Sequence, residues 1–214
     1  MLLRKFIGRL HSFRKYRFFK KNAILIGTSY VFGRASSVST TDGSTKEDIT
    51  IGDNVCIYGA VNSQNRGKIQ IGNNVYLGYN SSLLAVESIS IGDFTTISYN
   101  VVITDNNNHP LSPSFRHYMR TRPVTDDSNR WRHSDHKPVI IGNNCWIGQN
   151  SRIQKGVVLG DNCIVAANAV VTKSAPANCI LAGNPAKIVK TDIDKIEPPT
   201  TCLGYNEYVN RKNN

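Results

Sequence analysis

The chain has 214 residues, 40% of them hydrophobic and 19% charged, and carries a formal charge of +11. No segment approaches the roughly 18 consecutive apolar residues of a membrane-spanning helix, which excludes a polytopic membrane protein. The five cysteines are odd in number and show no Cys-x-x-Cys spacing, so neither a disulfide framework nor a thiolate metal site is expected, and a reducing compartment is.

The charge is concentrated at the start. Residues 1–21 (MLLRKFIGRLHSFRKYRFFKK) hold eight Lys or Arg and no acid, leaving about +3 for the rest of the chain. Leu3, Phe6, Ile7, Leu10 and Phe13 fall on one face of a helix predicted over 1–22, with Arg4, Lys5, Arg9 and Arg14 off that face. No uninterrupted apolar stretch or cleavage site follows the charges, so the segment does not read as a secretory signal. It suits three roles: covering the open end of a β-structure, resting on an anionic membrane surface, or attracting an acidic polysaccharide. Nucleic acid is not an expected partner, because no recognised binding motif accompanies the charge.

A repeat occupies the middle of the chain. It reads ITIGDNVCIYGAV around Ile51, IQIGNNVYLGYNSSL around Ile71, ISIGDFTTISYNVVI around Ile91, and later VIIGNNCWIGQNSRIQKGVVLGDNCIVAANAVV. An aliphatic residue recurs every six positions at Ile91, Ile97 and Ile103, and again at Ile141, Ile147, Ile153, Leu159, Val165 and Val171. Six is neither the helical period nor simple strand alternation; it marks a repeat unit. A short strand followed by a corner fits: one large aliphatic points inward, a smaller residue fills the space beside it, and Gly with Asn or Asp turns the chain. Three such sides make a triangular coil of 18 residues, the spacing from Ile141 to Leu159, while Ile51, Ile71 and Ile91 are 20 apart and imply coils with longer corners. Stacked coils would pair in parallel at about 4.8 Å. In this frame Cys145 and Cys163 take inward positions and Cys56 lies beside one, so packing is the expected use of most cysteines.

The repeat breaks after Ile103. The stretch ITDNNNHP introduces a polar excursion from Pro110 to Pro138 that includes Arg116, His117, Arg120, Arg122, Trp131, Arg132, His133, Asp135 and His136. His109 falls where a hexad should have ended and is expected to project from the rim of a rigid scaffold. Pro110 biases it toward an extended backbone, and fixed placement is what a general base requires. Asn106, Asn107 and Asn108 suit the turn itself. No metal is expected, since the histidines cluster in the excursion and not on coil faces where three could converge. The hexads stop near Thr191, and residues 191–214 read as a tail.

The closing segments IIGNNCWIG, VVLGDNCIVAANAVVTK and ILAGNPAKIVK, in this order, carry a resemblance to the hexapeptide-repeat acyltransferase superfamily. The similarity is to its sugar O-acetyltransferases, including the maltose, galactoside and capsule-modifying types, and it covers roughly residues 24–190. It implies an all-β fold, a left-handed parallel β-helix over 23–190, against the usual right-handed rule for parallel crossovers. It further implies acetyl-CoA as co-substrate, a carbohydrate acceptor and His109 as general base. Trp146 would pack on the pantetheine or acetyl region, Ala167 would make a close backbone contact, Thr172 and Lys173 would face the nucleotide end, and Lys187 would approach phosphate. Asn80 and Asp105 would orient the base or bind an acceptor hydroxyl, and Asp135 or His136 would complete the site or anchor the loop. Trimers with active sites between subunits follow by the same resemblance, while the cysteines point to a cytoplasmic location and the basic residues 1–21 to peripheral membrane contact as one of their three roles. N-acetylation of an amino sugar, acylation of a xenobiotic alcohol and a non-catalytic glycan- or membrane-binding scaffold are the alternatives.

Overall fold

The computed structural model describes residues 2–199 and 201–212. Short strands of the repeat stack into three faces, each built from every third strand, and the architecture is the left-handed parallel β-helix. The first face runs Ile24–Leu25, Ile49–Ile51, Lys68–Ile71, Ser88–Ile91, Val139–Ile141 and Val158–Leu159. The second runs Tyr30–Phe32, Val55–Ile57, Tyr76–Leu77, Thr96–Ile97, Trp146–Ile147, Ile164–Val165 and Ile180–Gly183, and closes with the antiparallel strand Ala186–Lys190. The third runs Ser37–Thr41, Ala60–Gln64, Ser82–Ala85, Val102–Thr104, Arg152–Ile153 and Val170–Val171.

The hexad aliphatics are the core. Ile91 pairs in register with Ile71 and Ile141, Ile97 with Leu77 and Ile147, and Ile103 with Leu83 and Ile153. None of these side chains is more than 4% exposed. Each such burial is worth about 1.5–3 kcal/mol. Cys145, Cys163 and Cys179 stack among them as small core residues, with 3.6 Å between the Cys163 and Cys179 sulfurs.

The Gly-Asp/Asn corners have a specific purpose. Asp53 N donates to Asn73 Oδ1 (2.8 Å), Asn73 N to Asp93 Oδ1 (2.6 Å), Asp93 N to Asn143 Oδ1 (2.9 Å) and Asn143 N to Asp161 Oδ1 (2.7 Å). Each corner N–H is thus satisfied by the side chain one coil further on. The close approach needs glycine: a Cβ on Gly142 would lie 2.5 Å from Asp161 Oδ1. The next residue takes a left-handed conformation, as Asn54, Asn74, Asn144 and Asn162 do, and their amides form a second ladder, Asn54 to Asn74 and Asn144 to Asn162 to Asn178. Phe94 holds the same conformation with φ 59° and no amide, and interrupts that ladder.

Helix α1 (Leu2–Asn22) covers the amino-terminal end of the coil stack, the first of the three roles expected for it, but with a different face. Phe19 is fully buried and stacks on Phe32 with ring centroids 3.9 Å apart, Tyr16 packs beside Tyr30, and Lys15 Nζ donates to Ser36 O at 2.6 Å. Phe13 is exposed, and the side chains of Leu3, Phe6, Ile7 and Leu10 lie outside the described residues. Among the described side chains of α1, those of its last turns reach the open coil, where the chain passes from Asn22 into the first strand. Arg14, Arg17, Lys20 and Lys21 are exposed around that cap.

The excursion is more ordered than a loop. Ser112 Oγ accepts from Phe115 N and Pro113 opens helix α2 (Pro113–Arg120), a favoured start on both counts. Two 3-10 turns follow at Asp127–Asn129 and Trp131–His133. The segment returns against its own beginning: Asn107 N donates to Asp135 O (3.0 Å) and Lys137 N to Asp105 O (2.8 Å). Arg132 pairs with Asp127 and with Asp42 of the first coil, tying the excursion down along the stack. Asp105 secures its root, fully buried, with its carboxylate accepting from Val86 N (2.9 Å), Glu87 N (2.7 Å) and Asn106 Nδ2 (3.0 Å).

Two outcomes are expected from these contacts. Phe19→Ala should cost about 3–5 kcal/mol and lower Tm by about 10 °C in thermal denaturation, since it empties the end of the core. Burial is the largest influence on the Asp105 carboxyl and raises it above its ordinary value, against the lowering by its N–H donors. The folded chain therefore binds this proton more tightly than the unfolded chain. The stability it contributes is fully present below about pH 4 and is lost as pH rises through the folded value. Measured by Tm across pH, wild type should lose ground relative to Asp105→Asn as pH rises above about 4; a difference that does not change with pH would contradict this.

Candidate active site

Four residues after the strand Val102–Thr104 leave the third face and aim His109 outward. Asn106 is buried, and its Oδ1 accepts from Asn108 N at 2.9 Å. Asn108 then takes the left-handed conformation at φ 63°, which Asn tolerates well. With Pro110 buried on the other side, the backbone is held before and after His109 while its ring is exposed. The three asparagines build the turn, as their residue type suggests.

His109 lies between two hollows. One, of about 450 Å³, is lined by Thr104, Asn107, Arg116, Arg152 and Gln154 as well as His109. The other, of about 330 Å³, is lined by His109, Arg116, Met119 and Arg120. Helix α2 forms the wall between them, so the excursion shapes the surroundings of the histidine. Arg116 is fixed there by its Nη1, which donates to Pro110 O (3.1 Å) and Leu111 O (2.5 Å).

The other residues singled out from the sequence are dispersed. Asp105 turns away from the hollow onto the backbone N–H groups of Val86 and Glu87, so both oxygens are occupied in the interior and neither is offered to an acceptor. Asn80 is exposed at the opposite end of the third face, before Ser82, and lines neither hollow. Asp135 and His136 are exposed at the returning strand of the excursion. Asp135 uses its carbonyl to accept from Asn107 N, and His136 Nδ1 contacts Ser134 O at 2.9 Å. Both lie at the root of the excursion, where they pair with the strand leading to His109.

Trp146 stands on the outer side of the second face, 54% exposed, with Nε1 3.4 Å from Ser98 Oγ. It borders a hollow of about 420 Å³ with Asn144, Asn162, Ile164, Ile193 and Asp194. Ile193 N donates to Asn178 O, so the start of the tail is laid against the coil and forms part of that wall. Lys187 is exposed on the antiparallel strand at the end of this face. Ala167 is exposed at the corner joining the second and third faces, against Gly148, where an added Cβ would come within 2.7 Å of Ala167 N. Thr172 and Lys173 are exposed just past the third-face strand Val170–Val171, at the edge from which His109 also leaves. One chain therefore places Trp146 and His109 on different faces and in different hollows.

Among the described residues no cysteine lines either hollow. Cys145, Cys163 and Cys179 are at most 2% exposed, and burial pushes the Cys179 thiol up to about 12. Arg152 is the residue that the repeat pattern did not single out. Its signal was present: it occupies an outward position whose third-face neighbours are Val102 and Val170.

The hexapeptide repeat of succinyl-transferase matches residues 68–105 and 138–173, which bracket the excursion. The galactoside O-acetyltransferase of Escherichia coli K12 is 32% identical over 146 residues, covering 68% of this chain and 65% of the relative. The polysialic acid O-acetyltransferase of Escherichia coli O1:K1 is 35% identical over 146 residues, covering 68% of this chain and 43% of the relative. The chain thus spans less than two thirds of the length of these curated relatives. Among solved structures, AntD, an N-acyltransferase from Bacillus cereus in complex with dTDP and 3-hydroxybutyryl-CoA, superposes with a TM-score of 0.64 over 94% of this chain and 97% of that one at 21% identity, a likeness of fold. The chain thus carries the hexapeptide repeat over residues 68–105 and 138–173 and the coil that it builds, and is similar in sequence to sugar O-acetyltransferases.

Proposed function

We propose that the protein transfers an acetyl group from acetyl-CoA to a hydroxyl of a carbohydrate, in a surface polysaccharide such as a capsule or lipopolysaccharide, with His109 as general base. The observation that carries this is the exposed imidazole held between two hollows by a buried turn on one side and a buried proline on the other. The similarity to galactoside and polysialic acid O-acetyltransferases supports the acceptor class.

The chemistry asks little else of the chain. A sugar hydroxyl attacks the thioester carbonyl as His109 takes its proton, which avoids a free alkoxide. The carbon–sulfur bond then breaks, the imidazolium returns the proton to the leaving sulfur, and the products are the O-acetyl ester and the free thiol. With the core cysteines out of reach, direct transfer is favoured over an acyl-enzyme. The donor lies along the carboxyl-terminal coils, its acetyl and pantetheine end beside Trp146 and its phosphates toward Lys173 and Lys187. Asp194 beside Trp146 suits an uncharged arm and would repel a phosphate. Because His109 and Trp146 occupy different faces, the complete site requires two copies of the chain, in keeping with a trimer whose sites lie between subunits. The exposed basic residues around the α1 cap suit peripheral contact with the inner face of a membrane. The fold shared with an N-acyltransferase favours a second reading, acylation of an amino sugar, which paired assays on a sugar and its amino counterpart separate.

His109→Ala should lower acetyl transfer by about 10²- to 10⁴-fold while leaving acetyl-CoA affinity near the wild-type value, read by calorimetry. Trp146→Ala should weaken acetyl-CoA binding by about tenfold. A folded wild-type protein that does not bind acetyl-CoA would remove the acetyltransferase reading and leave a non-catalytic glycan-binding scaffold.

A further inference from the structure

Two of the five arginines of the excursion differ in their pairing from those around His109. Arg122 and Arg132 are neutralised, the first by Asp126 and the second by Asp42 and Asp127. Those around His109 are not. Arg116 donates to the carbonyls of Pro110 and Leu111 and Arg120 to the Asn129 amide, all uncharged partners. Arg152 projects from the third face into the larger hollow; its backbone N donates to Ala169 O, while its guanidinium has no hydrogen-bond or ion-pair partner among the described residues. No acidic side chain lines either hollow, and the nearby Asp105 carboxylate is turned inward onto backbone N–H groups.

Three guanidinium groups from two separate parts of the fold thus converge on the candidate base with their charge uncompensated. A concave surface of one sign focuses its field on an incoming ligand, and the planar guanidinium fork is suited to two oxygens of a carboxylate or phosphate. We infer that the acceptor carries a fixed negative charge beside the hydroxyl to be acetylated, a sugar carboxylate or a sugar phosphate, bound by Arg152 and Arg116 with Arg120 behind them. The donor does not explain this charge, because the phosphates of acetyl-CoA lie at the far end of its pantetheine arm from the thioester that must meet His109. The inference rests on the proposed acetyl transfer at His109.

The test compares acceptors that differ in the charge alone: galacturonate with galactose, and glucose 1-phosphate with methyl α-glucoside, each with acetyl-CoA. The acidic member of at least one pair should have a kcat/KM about tenfold or more above its neutral counterpart, and the responding pair identifies carboxylate or phosphate. In Arg152→Gln and Arg116→Gln, the loss for the acidic member should exceed the loss for the neutral one by about tenfold, whereas Arg122→Gln, whose charge is already paired, should keep the preference. Equal or better use of the neutral sugars, or equal losses on both members, would overturn the inference. Binding of the same four sugars, followed by saturation-transfer NMR without donor, decides the matter independently of turnover. Selective binding of an acid that weakens in Arg152→Gln supports the anion site even if no acetyl transfer is found, and absence of any such selectivity rejects it while leaving the acetyltransferase reading to stand or fall on His109.

Discussion

At the corner between its first and second faces each coil supplies a side-chain acceptor for a backbone N–H of the coil before, and the stacking of the coils depends on it. The carboxylate and amide oxygens of Asn73, Asp93, Asn143 and Asp161 are these acceptors in turn. Coils stack closely at this corner, so its sequence is restricted to a glycine that permits the approach and a short polar side chain that bridges to the N–H of the coil before. The aliphatic that follows is then directed inward, where it stacks on its counterparts above and below. Corner satisfaction and core stacking are therefore one repeating solution, and coils can be added only in complete units.

Such a scaffold is rigid but offers few concave surfaces, since its faces are flat and its interior is filled. Concavity has to be added by something that leaves the coil. The excursion between Ile103 and Val139 is that addition: it departs at one corner, folds helix α2 over the rim, and rejoins the next coil with the register of Ile91 and Ile141 intact. Its root is held by Asp105 and by backbone hydrogen bonds between 105–107 and 135–137, and its far side by Arg132 against Asp42. These contacts are spent on positioning, which leaves His109 and three arginines exposed on a surface that does not move with solvent. A general base needs fixed geometry more than it needs burial, and the turn around His109 meets that need with polar residues alone.

The amino-terminal end of the stack presents the opposite problem, an open core. α1 solves it with Phe19 over Phe32 and Tyr16 beside Tyr30, while Arg14, Arg17, Lys20 and Lys21 stay in solvent. The same helix therefore combines a packing role on its last turns with a cationic surface around them.

Much of the fold was legible in the sequence because its causes are local. The six-residue period identifies which residue of each hexad is inward, and Ile97, Ile147 and Val165 are buried where that period puts them. Gly with Asn or Asp marks the corners, and His109 before Pro110 marks the departure from the coil. What the period could not express is which side chains meet across coils. Asp105 reads as a polar residue near a histidine, yet stacking brings the N–H groups of Val86 and Glu87 beneath it and takes it inward. Phe13 belongs to the face that helical spacing marks as apolar, yet it is exposed, and Phe19, next to the point where the chain enters the first strand, is the buried aromatic of the cap. Arg152 is unremarkable in its own hexad, and only the fold of the excursion over the third face brings Arg116 into the same hollow, with Arg120 on the far side of His109. The sequence by itself determined the repeat, the core and the corners, because each depends on neighbours within one hexad. The tertiary structure alone decided the surroundings of His109, because they depend on distant segments converging at one rim.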